Sequence, residues 1–275
     1  MGHWTEIEPS EGPGLRLAAV GTSDSVATAE LVTACLTEAG IAGDCVPIDI
    51  PLPEFRDCTQ HLREVGFRGV LASGGHRVEA AMLAERYSVS RLSMGVANVL
   101  SFRGGIFAQN TEVTALSHLL QPIPAGKALV LGSGAGARSV TAALFEGGWS
   151  VRVWNRSPTK LRPLRTLFAR YGNVELVYAP DPTDCKLIVN CTPLGAKAGE
   201  CPPLEWKHVR PKTVFLDFVA RRVATEFLRT ARSRGLQGID GRQIVVETMA
   251  TSLEWLFGGT LPRTKMLGTV GLKGD

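Results

Sequence analysis

The chain has 275 residues, 44% of them hydrophobic and 20% charged, with a net charge of +4. That length is enough for two domains of ordinary size, each able to bury its own core. The scattered basic residues exclude a nucleic-acid binder as the first reading, and no apolar run is long enough to span a membrane.

The six cysteines, Cys35, Cys45, Cys58, Cys185, Cys191 and Cys201, form no CxxC pair and are not grouped with His at metal spacing. No metal site is expected from them. With no signal peptide, they fit a reducing cytoplasm.

Residues 1–14 are polar, with Gly and Pro, and predict a loose tail. An apolar run from Leu15 to Gly21 reads as a strand, followed by the polar stretch Thr22, Ser23, Asp24, Ser25 and a helix over Ala27–Ala39. A second strand, Asp44–Ile50, ends at Pro51 and Pro53. Phe55–Val65 has a helical pattern, Gly69–Ala72 reads as a short buried strand, and Ser73 to Arg77 form a turn into a helix over Val78–Tyr87. This alternation predicts an α/β domain with a mainly parallel sheet. Gly95–Leu100 reads as a turn into a strand, and Phe102–Phe107 as a hairpin with Arg103–Gly105 at its tip. A helix, Val113–Leu120, then leads to a linker at Pro122 and Pro124, where the domain boundary is expected.

The most informative stretch is KALVLGSGAGARSVTAALFEGGWSVRVWNRSPTK, from Lys127 to Lys160. Ala128–Leu131 reads as a buried strand and Ala137–Phe145 as a helix ended by Gly147 and Gly148. Ser150–Trp154 is a second strand. Strand, glycine turn, helix and strand within about 30 residues make a dinucleotide-binding unit. Gly132 allows the sharp turn out of the strand. Gly134 lets the backbone approach a pyrophosphate, and a small residue at Ala137 lets helix and strand pack closely. The helix N-terminus offers unpaired N–H groups to the phosphates. Nucleotide contacts are therefore expected along Gly132, Ser133, Gly134, Ala135, Gly136 and Ala137.

An NAD site carries Asp or Glu at the end of the second strand, about 20 residues on. Here stand Asn155, Arg156, Ser157 and Lys160, cations and hydroxyls suited to a 2′-phosphate. The cofactor expected is NADP(H), not NAD. The alternative reading of Arg156 and Lys160 is a solvated helix start. Strands over Val174–Tyr178, Leu187–Asn190 and Val214–Asp217 follow, then a helix over Thr225–Arg234 with Gly235 as its C-cap. Gly238–Gly241 form a turn before a long helix, Ile244–Phe257.

The order of these motifs resembles the shikimate/quinate dehydrogenase family over almost the whole chain after residue 15. The glycine loop, NRS at 155–157, NCTPLG at 190–195, the Asp217 strand end and the Gly241 turn carry the likeness. The resemblance implies an N-terminal α/β substrate domain over 1–121 and a Rossmann NADP-binding domain over 122–241. A C-terminal helical segment over 242–275 would return to the first domain. It adds Thr192 and Gly241 to the expected cofactor contacts.

On the substrate side the frame matches and the side chains change. The family's NVTxPxK becomes LASGGHR, so Leu71 stands for the Asn, Ser73 for the Thr and Arg77 for the Lys. The family's NTD becomes Asn110, Thr111, Glu112. Its Asn in GAVNT stays as Asn98, the Tyr of DxVYxP becomes Ala220, and the Gln of the last helix becomes Thr248. Thr22, Ser23, Ser25 and Thr28 are the candidates for its serine pair. The resemblance thus implies substrate contacts at Ser23, Ser73, Asn98 and Thr248, with Arg77 and Glu112 as the catalytic pair.

Arg cannot act as a general base, so Arg77 would anchor or polarise the substrate while Glu112 handles the proton. His76 is the other candidate base, and a plain salt bridge between Arg77 and Glu112 is the structural alternative. The expected activity is hydride transfer between NADP(H) and a small, anionic hydroxy or keto acid or an imine, in a monomer or homodimer without nucleic-acid or membrane partners. Two other readings stay open: a true shikimate dehydrogenase with an unusual site, and an NADP(H)-binding sensor or scaffold without turnover.

Overall fold

A computed structural model describes residues 3–9, 14–22, 24–87, 94–169, 172, 174–261 and 263–269. The chain divides into two compact units, Met1–Thr111 with Met249–Asp275, and Glu112–Thr248.

The first unit begins with β1 (Leu15–Gly21), α1 (Ser25–Glu38), β2 (Gly43–Asp49), α2 (Phe55–Glu64) and β3 (Gly69–Ala72). It continues with α3 (His76–Leu83), β4 (Arg86–Tyr87), β5 (Val99–Ser101) and β6 (Phe107–Gln109), after which α4 (Thr111–Leu120) leaves the sheet. The strand order is β2-β1-β3-β5-β6-β4. β1 runs parallel to β2 and β3, whereas β5 is antiparallel to β3 and β6. The carboxyl ends of β1, β3 and β6 and the amino end of β5 therefore share one edge. Phe55, Leu62, Val70 and Leu100 lie in the core of this unit without solvent exposure.

Two expectations change here. The helix opening at His76 stops at Leu83 rather than Tyr87, because Ala84 is extended and the Glu85 N–H bonds the Ile106 carbonyl at 2.9 Å. Arg86 and Tyr87 then pair with β6 as a short strand. The tail is anchored where it is described. Trp4 Nε1 donates to Glu54 Oε2 at 2.8 Å, His61 Nε2 lies 3.0 Å from the Ile7 carbonyl, and Ile7 packs on the core.

The second unit holds β7 (Lys127–Leu131), α5 (Ala135–Glu146), β8 (Ser150–Trp154), α6 (Arg162–Phe168) and β9 (Val174–Val177). β10 (Cys185–Asn190), β11 (Val214–Asp217), α7 (Glu226–Ser233) and β12 (Gly238–Ile239) complete its sheet, and α8 (Gly241–Phe257) and α9 (Arg263–Thr269) end the described chain. Every strand pair in this sheet is parallel, in the order β12-β11-β10-β7-β8-β9. The order reverses between β7 and β10, the switch point at which doubly wound sheets bind dinucleotides.

Two helices, α6 and α9, add to the elements that the sequence pattern predicts. α6 has Pro163 in its first turn and buries Leu164 and Phe168, one helical repeat apart. α9 is held by Arg263, whose Nη1 and Nη2 donate to the two Glu254 oxygens at 2.7 and 2.8 Å. Asp240 starts α8 with a capping box: its N–H donates to Gln243 Oε1 and its Oδ1 accepts from the Arg242 N–H, both at 2.9 Å. No described helix is long and apolar enough to cross a membrane.

Candidate functional site

The glycine loop joins β7 to α5 at the switch point. Gly132 has φ +118°, and a Cβ there would lie 2.9 Å from the Cys191 carbonyl oxygen. Only glycine fits, both for its backbone conformation and for the close passage of the β10 chain end. A Cβ on Gly136 would lie 2.9 Å from the Phe218 ring, which would have to shift to admit a side chain. Ala137 is buried, as close packing of helix on strand requires.

Gly134 differs from these. A Cβ there would meet no described atom within 4 Å, so nothing among the described residues demands a glycine. The position is the N-cap of α5 and no side chain caps the helix. An open glycine before uncapped N–H groups fits a pyrophosphate.

At the end of β8 the Asn155 side-chain amide donates to Ser133 Oγ, tying that strand end to the glycine loop. Arg156 and Lys160 are exposed, and neither has an ion-pair partner among the described residues. Ser157 is half-buried beside them. Arg138, in the first turn of α5, is half-buried without a counter-ion among the described residues, and burial lowers its guanidinium below its ordinary range.

The NCTPLG stretch closes the other side of the switch point through one buried knot. Asn190 Nδ2 donates to Asp217 Oδ1 at 2.8 Å and to the Leu194 carbonyl at 2.9 Å. Its Oδ1 accepts from the Thr192 N–H at 3.0 Å and the Thr192 hydroxyl at 2.7 Å. Asp217, 0% exposed, also accepts from Thr225 Oγ1 at 2.5 Å and the Val219 N–H at 3.0 Å. Burial pushes its carboxyl above the ordinary aspartate value, and these hydrogen bonds oppose the shift. Thr192 is thereby positioned by Asn190. A Cβ on Gly241 would lie 2.7 Å from the Val219 carbonyl, so that glycine has a packing reason of its own.

In the first unit, polar side chains collect along the shared strand edge. Ser73 follows β3, its N–H bonded to the Val20 carbonyl at 3.0 Å and its hydroxyl donating to Asp24 Oδ1 at 2.6 Å. Asn98 lies beside it, since the Ala72 N–H bonds the Asn98 carbonyl at 2.9 Å. The Asn98 amide nitrogen donates to Thr111 Oγ1 at 2.8 Å and Ser252 Oγ at 3.1 Å, and its oxygen accepts from the Thr111 N–H at 2.7 Å. Thr111 and Ser252 hydroxyls meet at 2.6 Å.

Arg77 opens α3, half-buried, with its carbonyl bonded to the Ala97 N–H at 2.8 Å. Glu112, 6% exposed, opens α4, and Thr248 is half-buried on α8. Arg77 belongs to the first unit and Glu112 and Thr248 to the second. Ser23 lies outside the described residues.

No family model matches the chain. A shikimate dehydrogenase (NADP(+)) of Maricaulis maris (strain MCS10) is 30% identical over 248 residues, covering 86% of this chain and 89% of the relative. The chain belongs to the shikimate dehydrogenase family. It is an oxidoreductase of that family, with NADP as its cofactor and the two-domain α/β architecture expected from its motifs. The shikimate 5-dehydrogenase of Thermus thermophilus, solved with NADP(H) and shikimate, superposes with a TM-score of 0.84 at 26% identity, covering 94% of this chain and 98% of that one. The ligand-free 5-ketofructose reductase of Gluconobacter sp. strain CHM43 has the same fold, with a TM-score of 0.84 at 22% identity and coverage of 94% and 98%.

Against this shikimate dehydrogenase frame, one sequence candidate drops out. His76 is 0% exposed and packs on Phe55 with ring centroids 5.3 Å apart, inside the core. Two residues that the motifs did not single out now join the polar edge, Asp24 through Ser73 and Ser252 through Asn98. Ser252 carried no signal, because its partner lies 154 positions away. Asp24 had one: it stands among the polar residues directly after β1.

Proposed function

We propose that this shikimate dehydrogenase relative transfers a hydride between NADP(H) and a small hydroxy or keto compound, or an imine, that is not shikimate. The observation that carries the substrate part is Arg77 at the first turn of α3, where the family resemblance places a lysine. A guanidinium holds and polarises an electron-rich group but does not give up its proton. Taken alone, Arg77 would favour an anionic group on the substrate. The carboxylate of Glu112, at the first turn of α4, takes or returns the substrate proton.

The residues of the second unit fit the cofactor. Gly134 and the N–H groups at the start of α5 would hold the pyrophosphate. Ser133, Asn155, Arg156, Ser157 and Lys160 would hold the ribose 2′-phosphate, with Thr192 and Gly241 on the nicotinamide side. An anion at this helix end would also give Arg138 the counter-charge it lacks among the described residues. When bound, NADP(H) supplies a carbon that accepts or donates hydride. The chain's contribution is orientation, charge and the proton path.

The test is a panel of hydroxy acids, polyols, keto compounds and imines with purified protein, followed by NADPH absorbance. Turnover of one of these well above shikimate is expected. Shikimate as the best substrate would make the chain a shikimate dehydrogenase with an unusual site. Tight NADPH binding with no turnover of any compound would make it a sensor or scaffold.

A further inference from the structure

Asp24 sits at the N-cap of α1, a place where aspartate ordinarily accepts hydrogen bonds from the first turn. Here its side chain makes no capping bond, and only its backbone carbonyl takes the Thr28 N–H, at 3.1 Å. The carboxylate turns instead to Ser73, which donates at 2.6 Å. Gly21 makes room: a Cβ there would overlap both Asp24 Oδ1 and Ser73 Oγ. Asp24 is exposed, and among the described residues it has no ion-pair partner. The pair stands at the carboxyl ends of β1 and β3, the edge at which open α/β sheets meet their ligands.

We propose that Asp24 selects against a carboxylate at the Ser73 end of the substrate site, so that the compound oxidised or reduced is an uncharged polyol or hydroxy ketone. The inference rests on the oxidoreductase reading above and narrows its substrate class. The Ser73 hydroxyl hydrogen is already given to Asp24, and an ionised carboxylate is an acceptor only. A substrate hydroxyl can donate to it. A substrate carboxylate is repelled, at about 4 Å by about fivefold in affinity in bulk water and up to on the order of a thousandfold at the lower dielectric of a protein surface. The sequence expectation of an anionic substrate rested on Arg77 alone. Asp24 brings a negative charge to the same strand edge. In the oxidative direction the carbinol C–H bond is lost as hydride to NADP⁺ and the O–H proton goes to a protein carboxylate. The carbon becomes a carbonyl, and NADP⁺ leaves as NADPH.

The test compares wild type with Asp24→Asn, which keeps a hydrogen-bond acceptor for Ser73 and removes the charge. Rates of NADP⁺ reduction are measured with myo-inositol, sorbitol, shikimate and quinate. In the variant, kcat/KM for the carboxylates relative to the uncharged polyols is expected to rise at least about tenfold. An unchanged ratio, or wild type favouring shikimate over both polyols, overturns the proposal. Calorimetric binding of shikimate to the NADP⁺ complex reads the same charge without turnover. Tighter binding by at least about tenfold in Asp24→Asn supports the proposal, and equal affinity overturns it. Absence of turnover in both proteins with a clear affinity difference counts against the oxidoreductase reading and leaves the charge selection standing.

Discussion

The turns after β7 and after β3 are built alike. Each leaves the carboxyl end of a parallel strand and enters a helix through glycines, as LGSGAGAR in one unit and LASGGHR in the other. They differ in where the chemistry sits. On the proposed reading the ligand-facing groups of the first turn are backbone, and the residues that expose them are consecutive. In the second they are side chains held from afar: Ser73 by Asp24, 49 positions away, and the neighbouring Asn98 by Ser252, 154 positions away. A backbone site writes itself into a short motif, whereas a side-chain site is distributed over the fold.

The largest expected effect separates two glycines of the first turn. Gly132→Ala meets the Cys191 carbonyl in a conformation alanine rarely adopts, and should cost about 2–4 kcal/mol of stability together with NADPH binding. Gly134→Ala meets no described atom within 4 Å. It should leave the thermal midpoint nearly unchanged and weaken NADPH roughly tenfold or more. Thermal unfolding with fluorescence titration reads both. Equal loss of stability in the two variants would erase the distinction between a fold glycine and a ligand glycine.

Next in size is cofactor choice. Arg156→Ala combined with Lys160→Ala should raise the NADPH dissociation constant about 10- to 100-fold and leave NADH nearly unaffected. If both dinucleotides weaken alike, these cations do not read the 2′-phosphate.

On the substrate side, Ser252→Ala removes one partner from the buried Asn98 and Thr111 amide–hydroxyl cluster. A loss of about 1–2 kcal/mol is expected from denaturant unfolding. A loss near zero would mean that the cluster does not depend on α8.

The smallest effect is a pH slope. Asp217 has its folded pKa raised by burial, so protonation favours the folded state. Its contribution is fully present below the ordinary aspartate value of 3.8 and is lost as pH rises through the raised folded pKa. Wild type should therefore gain stability relative to Asp217→Asn as pH falls through that window. A flat difference would mean that the hydrogen bonds from Thr225, Val219 and Asn190 cancel the burial.

Most of the fold is legible in the sequence, for reasons that also explain the misses. β7 to β11 of the second sheet are short apolar runs and fall where the pattern puts them, whereas Gly238 and Ile239, read as part of a turn, pair with β11 as a sixth strand. The end of α3 is not legible, because Val78 to Leu83 carry a helical pattern and nothing local announces the pairing of Arg86 and Tyr87 with β6. α6 is signalled by Pro163, Leu164 and Phe168, but its basic residues read equally as part of the nucleotide site. Arg77 and Glu112 could be named from a motif. Asp24 could not be given its role, because an aspartate ahead of a helix reads as a cap until the side chain is seen to point elsewhere.

On the proposed function, this chain keeps its family's cofactor half and has a changed substrate half. The most direct measurement is kcat/KM for shikimate with NADP⁺ in wild type and in the double variant Arg77→Lys, Glu112→Asp. Feeble turnover is expected in wild type and a gain of at least about tenfold in the variant, since lysine can exchange a proton where arginine cannot. Efficient shikimate oxidation by wild type, lost in the double variant, would contradict it.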